Sequence, residues 1–287
     1  MLLALAPGCS TRPIVECPLV QNYQGATLGT GSPANSDEVR LRVMTMNAGH
    51  GRGDGFHQLT ESSAEIRANL DRVLVLLNEE TPDIAAFQEI DAPSFWSGNF
   101  NHVDYLGERG GFRQSIMASH VEIMGLSYGT AMLSRFALSN PVAVTFNPPM
   151  TTVPTGFIMA TVRLPTSADL VIDVVCAHLD FMSAAMRKKQ VDELVALVKN
   201  RKRPVIVMGD LNAGWSAQGS TVQYLIEQLG LKAYQPENRQ LVTFPALNKR
   251  LDWILVSEDF GFSSYQVVGS GLSDHNGVLA EVVMSAK

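Results

Sequence analysis

Apolar runs recur along this chain and change period as they go. Residues 41–46 (Leu-Arg-Val-Met-Thr-Met) are short and β-leaning and run into Asn-Ala-Gly-His-Gly, which reads as a strand feeding a glycine-rich loop. Ile66, Leu70, Val73, Leu74 and Leu77 then recur at helical spacing, behind a cap at Ser62 or Ser63 and ahead of a stop at Thr81-Pro82. Residues 83–87 open on Asp83 and continue as the apolar run Ile84–Phe87, which ends on Gln88-Glu89, the pattern of a buried strand. Strand, helix and strand in this order predict a layered α/β unit with the helix covering one face of a sheet.

The pattern repeats further on. Residues 130–134, 157–164 and 170–176 read as successive strands of a largely antiparallel middle section. Residues 182–200 carry Met186, Val191, Leu194, Val195 and Val198 on one helical stripe, and Pro204 leads into a strand at 205–208 buried on both faces. A third helix is predicted at 221–229, with closing strands at 251–256 and 278–284. Two helices that each introduce a buried strand imply two similar halves packed together. Between them, residues 91–124 set Trp96, Phe100, Tyr105 and Phe112 among glycines and charges, and read as a loop-rich segment that faces a substrate.

Polar residues stand where the apolar runs stop: Asn47, Glu89, His178, Asp210 with Asn212, Asp252, and Asp274-His275. Singly, each has a bland reading. A glutamate at a strand end is usually solvated, an Asp-Leu-Asn triplet is usually a turn, and a lone histidine is usually a satisfied core or surface residue. Together they describe a sheet rim that collects carboxylates, amides and imidazoles, which is the donor set for a hard cation and a phosphate ester. Glu89 and Asp274 are the candidate metal ligands. Asp210 and Asn212, two residues apart on an extended chain, point to the same side. His275 can act as base or acid near neutrality and needs a carboxylate to fix its tautomer, for which Asp252 is the candidate.

Composition narrows this further. The chain has 287 residues, 46% hydrophobic and 17% charged, enough to bury a sizeable core in one large domain. A net charge of −6 gives no overall attraction to a polyanion, so long nucleic acid would need a local basic patch. Arg187-Lys188-Lys189 and Arg201-Lys202-Arg203 read instead as solvated helix faces and loop ends, which leaves Lys249-Arg250. An acidic protein still binds phosphate through a metal, because the cation supplies the positive charge. Three cysteines, Cys9, Cys17 and Cys176, make neither a disulfide framework nor a zinc cluster. Residues 1–9 are apolar and end on small residues before Cys9, as in the remnant of a bacterial lipoprotein signal whose cysteine is acylated. The other reading is a disordered apolar end. On the first, the protein is extracytoplasmic, periplasmic or anchored to a membrane through the lipid on Cys9; on the second it is cytoplasmic. Residues 10–37 read as an irregular N-terminal arm, and the folded domain is expected over 38–287.

Read in order, Met46-Asn47, Gln88-Glu89, Tyr128-Gly-Thr-Ala-Met-Leu-Ser-Arg135, Ala177-His178-Leu179-Asp180, Arg187 with Gln190, Gly209-Asp210-Leu211-Asn212, Arg250-Leu251-Asp252 and Ser273-Asp274-His275 resemble the endonuclease/exonuclease/phosphatase family, the deoxyribonuclease-I-like metallophosphoesterases. The pieces span nearly the whole domain, and their shared order is more specific than any one of them. The resemblance implies an α/β fold, a four-layer αββα sandwich of two packed mixed sheets with the site at one edge. It implies a divalent metal on Glu89 with Asn47 and Asp274 beside it, Mg²⁺ first and Mn²⁺ or Ca²⁺ as alternatives. It further implies that His275 with Asp252 activates water or stabilises the phosphorane, that Asp210 and Asn212 orient nucleophile and phosphate, and that His178 holds a non-bridging oxygen or assists the leaving group. The expected activity is hydrolysis of a phosphoester, a phosphodiester first, by in-line attack of water. The substrate stays open between DNA or RNA and a phospholipid or small phosphodiester of the sphingomyelinase kind, a catalytically silent binding module is the third reading, and a monomer is expected.

Overall fold

The computed structural model describes residues 13–25, 38–54, 61–147, 152–164, 170–215 and 219–285. Cys9 and the signal-like segment lie outside the described residues. The arm before the domain is not wholly irregular, because it supplies two short edge strands, β1 (Ile14–Glu16) and β2 (Gln21–Asn22). Their partners lie far along the chain, so no local pattern marks them.

The first unit follows. In β3 (Glu38–Asn47) exposed and buried residues alternate at the start, and the last five are all buried, as the strand passes from the sheet margin to a position covered on both faces. Helix α1 (Ser63–Glu80) starts at a reciprocal cap: the Glu65 amide donates to Ser62 Oγ at 3.3 Å, and the Ser62 amide donates to Glu65 Oε2 at 2.7 Å. It ends at Thr81, in the left-handed region at φ 42°, since the residue before Pro82 is barred from continuing a helix. β4 (Ile84–Asp91) returns parallel to β3.

Residues 91–124 contain α2 (His102–Arg109), capped by the Asn101 side chain, and β5 (Gln114–Ile123). Phe112 is fully buried, and Phe100 and Tyr105 pack against the same core as α1. Most of this segment is therefore scaffold, contrary to the substrate-facing expectation; its glycines mask a helix whose apolar residues, Val103 and Leu106, cover only one turn. β6 (Leu126–Ser134), β7 (Leu138–Thr145) and β8 (Gly156–Arg163) complete an antiparallel middle section. β9 (Val171–His178), α3 (Ala184–Arg201) and β10 (Val205–Asp210) repeat the first unit, again with parallel strands. The helix starts after Ser183, whose hydroxyl accepts from the Met186 amide. α4 (Thr221–Leu229), β11 (Leu231–Ala233), β12 (Asp252–Ser257), β13 (Phe260–Val268) and β14 (Gly277–Ser285) follow.

The strands form two mixed sheets of seven, ordered β13-β14-β3-β4-β6-β5-β2 and β1-β7-β8-β9-β10-β12-β11. Val43, Ala86, Met132, Ile158, Val174 and Met208 lie in the core between them. α1 and α2 cover the outer face of the first sheet, and α3 and α4 that of the second. This is the four-layer αββα sandwich that the resemblance implied. The quartets β14-β3-β4-β6 and β8-β9-β10-β12 have the same antiparallel, parallel, antiparallel order, so the two similar halves are real. Among the described residues, no helix is long and apolar enough to cross a membrane.

Candidate active site

The two parallel pairs bring their carboxyl ends to one edge of the sandwich. Asp210, the last residue of β10, lies opposite His178 on one side and Asp252 on the other. Register alone therefore gathers three of the expected residues. Gly209 makes this possible: a Cβ there would stand 1.9 Å from the Ala177 carbonyl oxygen, so only glycine lets β10 reach the edge beside β9.

Glu89 reaches the edge by a different device. Phe87 and Ile90 both pack on the helix side of the sheet, three residues apart, because Glu89 is inserted as a bulge at φ 47°. Regular alternation would have turned Glu89 into the core under α1. A glutamate in the left-handed region costs roughly 1–3 kcal/mol, and such strain persists where the surroundings hold it. Asn212 is held likewise at φ 48°.

The side chains converge closely. The Asn47 amide nitrogen donates to Glu89 Oε1 and to Asp210 Oδ2, both at 3.2 Å, while its oxygen accepts from the Gly49 amide. His178 Nε2 lies 3.9 Å from Glu89 Oε1 and 3.7 Å from Asp210 Oδ2. His275 places Nδ1 2.8 Å from Asp252 Oδ2 and Nε2 3.8 Å from Asp210 Oδ2. Asn212 donates its backbone amide to Asp210 Oδ1 and its side-chain amide to the Leu179 carbonyl, which ties the β9 and β10 ends together. Arg187 and Gln190 brace the loop after His178: Arg187 donates to the Asp180 carbonyl, and Gln190 accepts from the Asp180 amide. Asp274 is exposed at the rim of the same cavity, accepts from Ser273 Oγ at 3.0 Å, and makes no contact with Glu89 of the kind the others make.

Charge is unevenly balanced here. Burial pushes the Glu89 carboxyl up, but the facing His50 and His178 rings and the Asn47 amide outweigh it and hold the group below the usual range. Burial pushes the Asp252 carboxyl up, and its Oδ1 is buried with no hydrogen-bond partner among the described residues. Burial also opposes charge on His275, yet Asp252, Asp210 and Asp274 outweigh it and raise the imidazole well above its ordinary value. Asp210, Asp252 and His275 bring metal-binding atom types within 4.8 Å of one another, but Asp252 and His275 are paired with each other, so Glu89 and Asp210, both reached by the Asn47 amide, are the oxygen donors that fit a divalent cation.

Pattern reading missed His50 and Asp91. His50 Nδ1 lies 2.7 Å from Asp91 Oδ1, and its Nε2 lies 3.4 Å from Glu89 Oε2. The available signal was a histidine set between glycines just after Asn47, with Asp91 two residues beyond Glu89. His120 and Tyr128 also line the cavity.

A two-sheet αββα sandwich with a carboxylate, amide and imidazole edge defines a class of hydrolytic fold. The chain belongs to the Endonuclease/Exonuclease/phosphatase family, whose model matches residues 44–275. Among solved structures it is similar to an endonuclease/exonuclease/phosphatase from Beutenbergia cavernae, with 20% identity, a TM-score of 0.67, and coverage of 86% of this chain and 72% of that one. The human Nocturnin catalytic domain with bound sulfate superposes with 18% identity and a TM-score of 0.64, over 85% of this chain and 94% of that one. A Bacteroides thetaiotaomicron mannosyl-6-phosphatase does so with 15% identity and a TM-score of 0.62, over 84% of this chain and 99% of that one. No curated protein matches.

Proposed function

We propose that the protein is a divalent-metal-dependent phosphoesterase that cleaves a phosphodiester by in-line attack of water. The observation that carries this is the meeting of Glu89, Asp210, His178 and His275 within 4 Å of one another in a chain of contacts at one sheet edge. Glu89, with Asp210 beside it, would hold the cation, which would supply positive charge to the phosphate and favour attack at phosphorus. Asp210, fixed by the Asn47 and Asn212 amides, orients the attacking water and accepts its proton. His275, carrying its proton on account of Asp252, donates from Nε2 to an oxygen that gains charge, and His178 does the same from the opposite side of Asp210.

The mouth of the site favours a substrate with an apolar part. The cavity holds about 390 Å³, and Val153, Phe181 and Leu247 line it while remaining 50%, 58% and 59% exposed. Large apolar side chains left in water around one opening mark a contact surface, and Lys249 beside them suits the phosphate anion of such an ester. We therefore rank a phospholipid-like or small apolar phosphodiester ahead of long duplex DNA. The test is a hydrolysis panel, with and without EDTA: a chromogenic phosphodiester, a sphingomyelin-type lipid, plasmid DNA, and a sugar monophosphate suggested by the mannosyl-6-phosphatase likeness. EDTA-sensitive cleavage of the lipid or the chromogenic diester is expected. Cleavage of plasmid alone would overturn the apolar preference, and no EDTA-sensitive hydrolysis of any substrate would revive the silent module.

A further inference from the structure

The loop after β3 carries a histidine that the reaction above does not use. Gly49, His50 and Gly51 all lie at positive φ, 49°, 60° and 73°. This left-handed run turns the imidazole inward, until 7% of the residue is exposed. Two of the three positions are glycine, for which such backbone is free, whereas His50 sits there at a cost that its side-chain contacts must offset.

Those contacts fix the ring. Asp91 Oδ2 accepts from Trp96 Nε1 at 2.7 Å and from Ser97 Oγ at 2.6 Å, and Asp91 Oδ1 faces His50 Nδ1. The ring also packs against Trp96 and Tyr128, at centroid distances of 4.8 and 4.7 Å. An ionised carboxylate only accepts, so Nδ1 bears the proton, and in the neutral ring Nε2 presents a lone pair. That lone pair faces Glu89 Oε2 at 3.4 Å. Two lone pairs turned toward each other repel unless a positive charge lies between them. Donor atoms at this spacing can each lie about 2.0–2.2 Å from one cation, the bond length of imidazole nitrogen and carboxylate oxygen to a small divalent metal.

We propose that His50 Nε2 is a ligand of the cation held by Glu89, with Asp91 as its positioning residue. The proposal rests on the metal-dependent reading above and deepens it. A carboxylate that orients a ligating imidazole through its other nitrogen is a recurrent arrangement in metal sites. One nitrogen donor among oxygens also changes the expected ion. Carboxylate and water suit Mg²⁺, Ca²⁺ and Mn²⁺, whereas an added imidazole favours later transition metals such as Fe²⁺, Ni²⁺ or Zn²⁺, so Mg²⁺, the first expectation from sequence, moves behind these.

The test is pulsed EPR on the full chain loaded with Mn²⁺. A directly bound imidazole gives ¹⁴N modulation, which is expected in the wild type, lost in His50→Gln and retained in His178→Gln and His275→Gln. Mn²⁺ affinity measured by calorimetry should fall about 10–100-fold in Asp91→Asn, the usual effect of removing a ligand-orienting group. Should His50→Gln fail to fold, the wild type labelled with ¹⁵N-histidine and titrated with Zn²⁺ answers the same question, since the His50 Nε2 resonance should move on binding. Mn²⁺ binding that Glu89→Gln abolishes but that shows no ¹⁴N modulation would overturn the His50 ligand alone and mark the ring as an imidazolium bridging Glu89 and Asp91. Modulation lost in His178→Gln instead would overturn it too. Mn²⁺ binding unchanged in Glu89→Gln would overturn both this inference and the metal reading on which it rests.

Discussion

Two histidine–aspartate pairs flank the candidate site, and they differ at one oxygen. In the first, Asp91 spends Oδ1 on His50 and Oδ2 on Trp96 and Ser97, so every lone pair that matters is used. In the second, Asp252 gives Oδ2 to His275 and leaves Oδ1 buried with no hydrogen-bond partner among the described residues. Both imidazoles turn Nε2 toward a carboxylate, Glu89 at 3.4 Å and Asp210 at 3.8 Å. A fully satisfied carboxylate holds a ring still, whereas an under-satisfied buried one keeps charge in reserve for its partner, and it is His275 that is raised far above its ordinary value. On the proposed mechanism, the first pair holds a cation and the second manages a proton.

The largest expected effect lies in the second pair. His275→Ala should lower kcat on a chromogenic phosphodiester by about 10²–10⁴-fold with the circular dichroism spectrum unchanged; activity near that of the wild type would end the assignment of the pair. Asp252→Asn keeps a hydrogen-bonding group beside His275 but removes the charge, and a loss of about 10²-fold is expected. Equal losses in Asp91→Asn and Asp252→Asn, each unaffected by added Mn²⁺, would erase the division of labour, since excess cation should rescue only the first.

The first pair is expected to answer in stability. Trp96→Phe removes a charge-assisted hydrogen bond to buried Asp91 and should destabilise the fold by about 1.5–3 kcal/mol, read by urea denaturation. A third histidine supplies the control, because it has hydroxyl partners and no carboxylate. His120 sits between Thr130 and Thr145, and burial, with a smaller repulsion from His178, pushes it down from 6.5 to about 3. Between those values the unfolded chain binds a proton that the folded chain does not. Its effect is therefore absent above about pH 6.5, and stability falls as pH drops through the window, by up to about 1.4 kcal/mol per pH unit. His120→Gln should flatten that slope between pH 6.5 and 5; an unchanged slope would place the acid sensitivity elsewhere.

Much of this was legible in the chain. The Ser62 cap, the Thr81-Pro82 stop and the 221–229 helix follow local rules that the structure obeys, and the αββα order follows from motifs that recur in a family's sequence. Glu89, His178, Asp210, Asn212, Asp252 and His275 were visible because they interrupt apolar runs, and the sheet edge does bring them together. His50 and Asp91 were hidden because a histidine among glycines looks like loop, and only the bulge at Glu89, a feature of pairing with β6, sets Asp91 under His50. β7 was hidden for a related reason, since Asn140-Pro141 breaks its pattern at an irregularity that its partner β8 absorbs. Asn47 is more instructive still: the resemblance placed it beside the metal, but its amide nitrogen faces both carboxylates. Pattern identifies which groups meet; hydrogen-bond geometry decides which atom each one offers.

The central claim is that hydrolysis runs on a cation held at Glu89, and hydrolysis of one chromogenic phosphodiester by wild type and Glu89→Gln, with Mn²⁺ or with EDTA, tests it most directly. The account predicts turnover in the wild type that EDTA abolishes and Mn²⁺ restores, and turnover in Glu89→Gln that is close to the EDTA baseline in both conditions. Turnover that persists in EDTA, or that Glu89→Gln leaves intact, would contradict it.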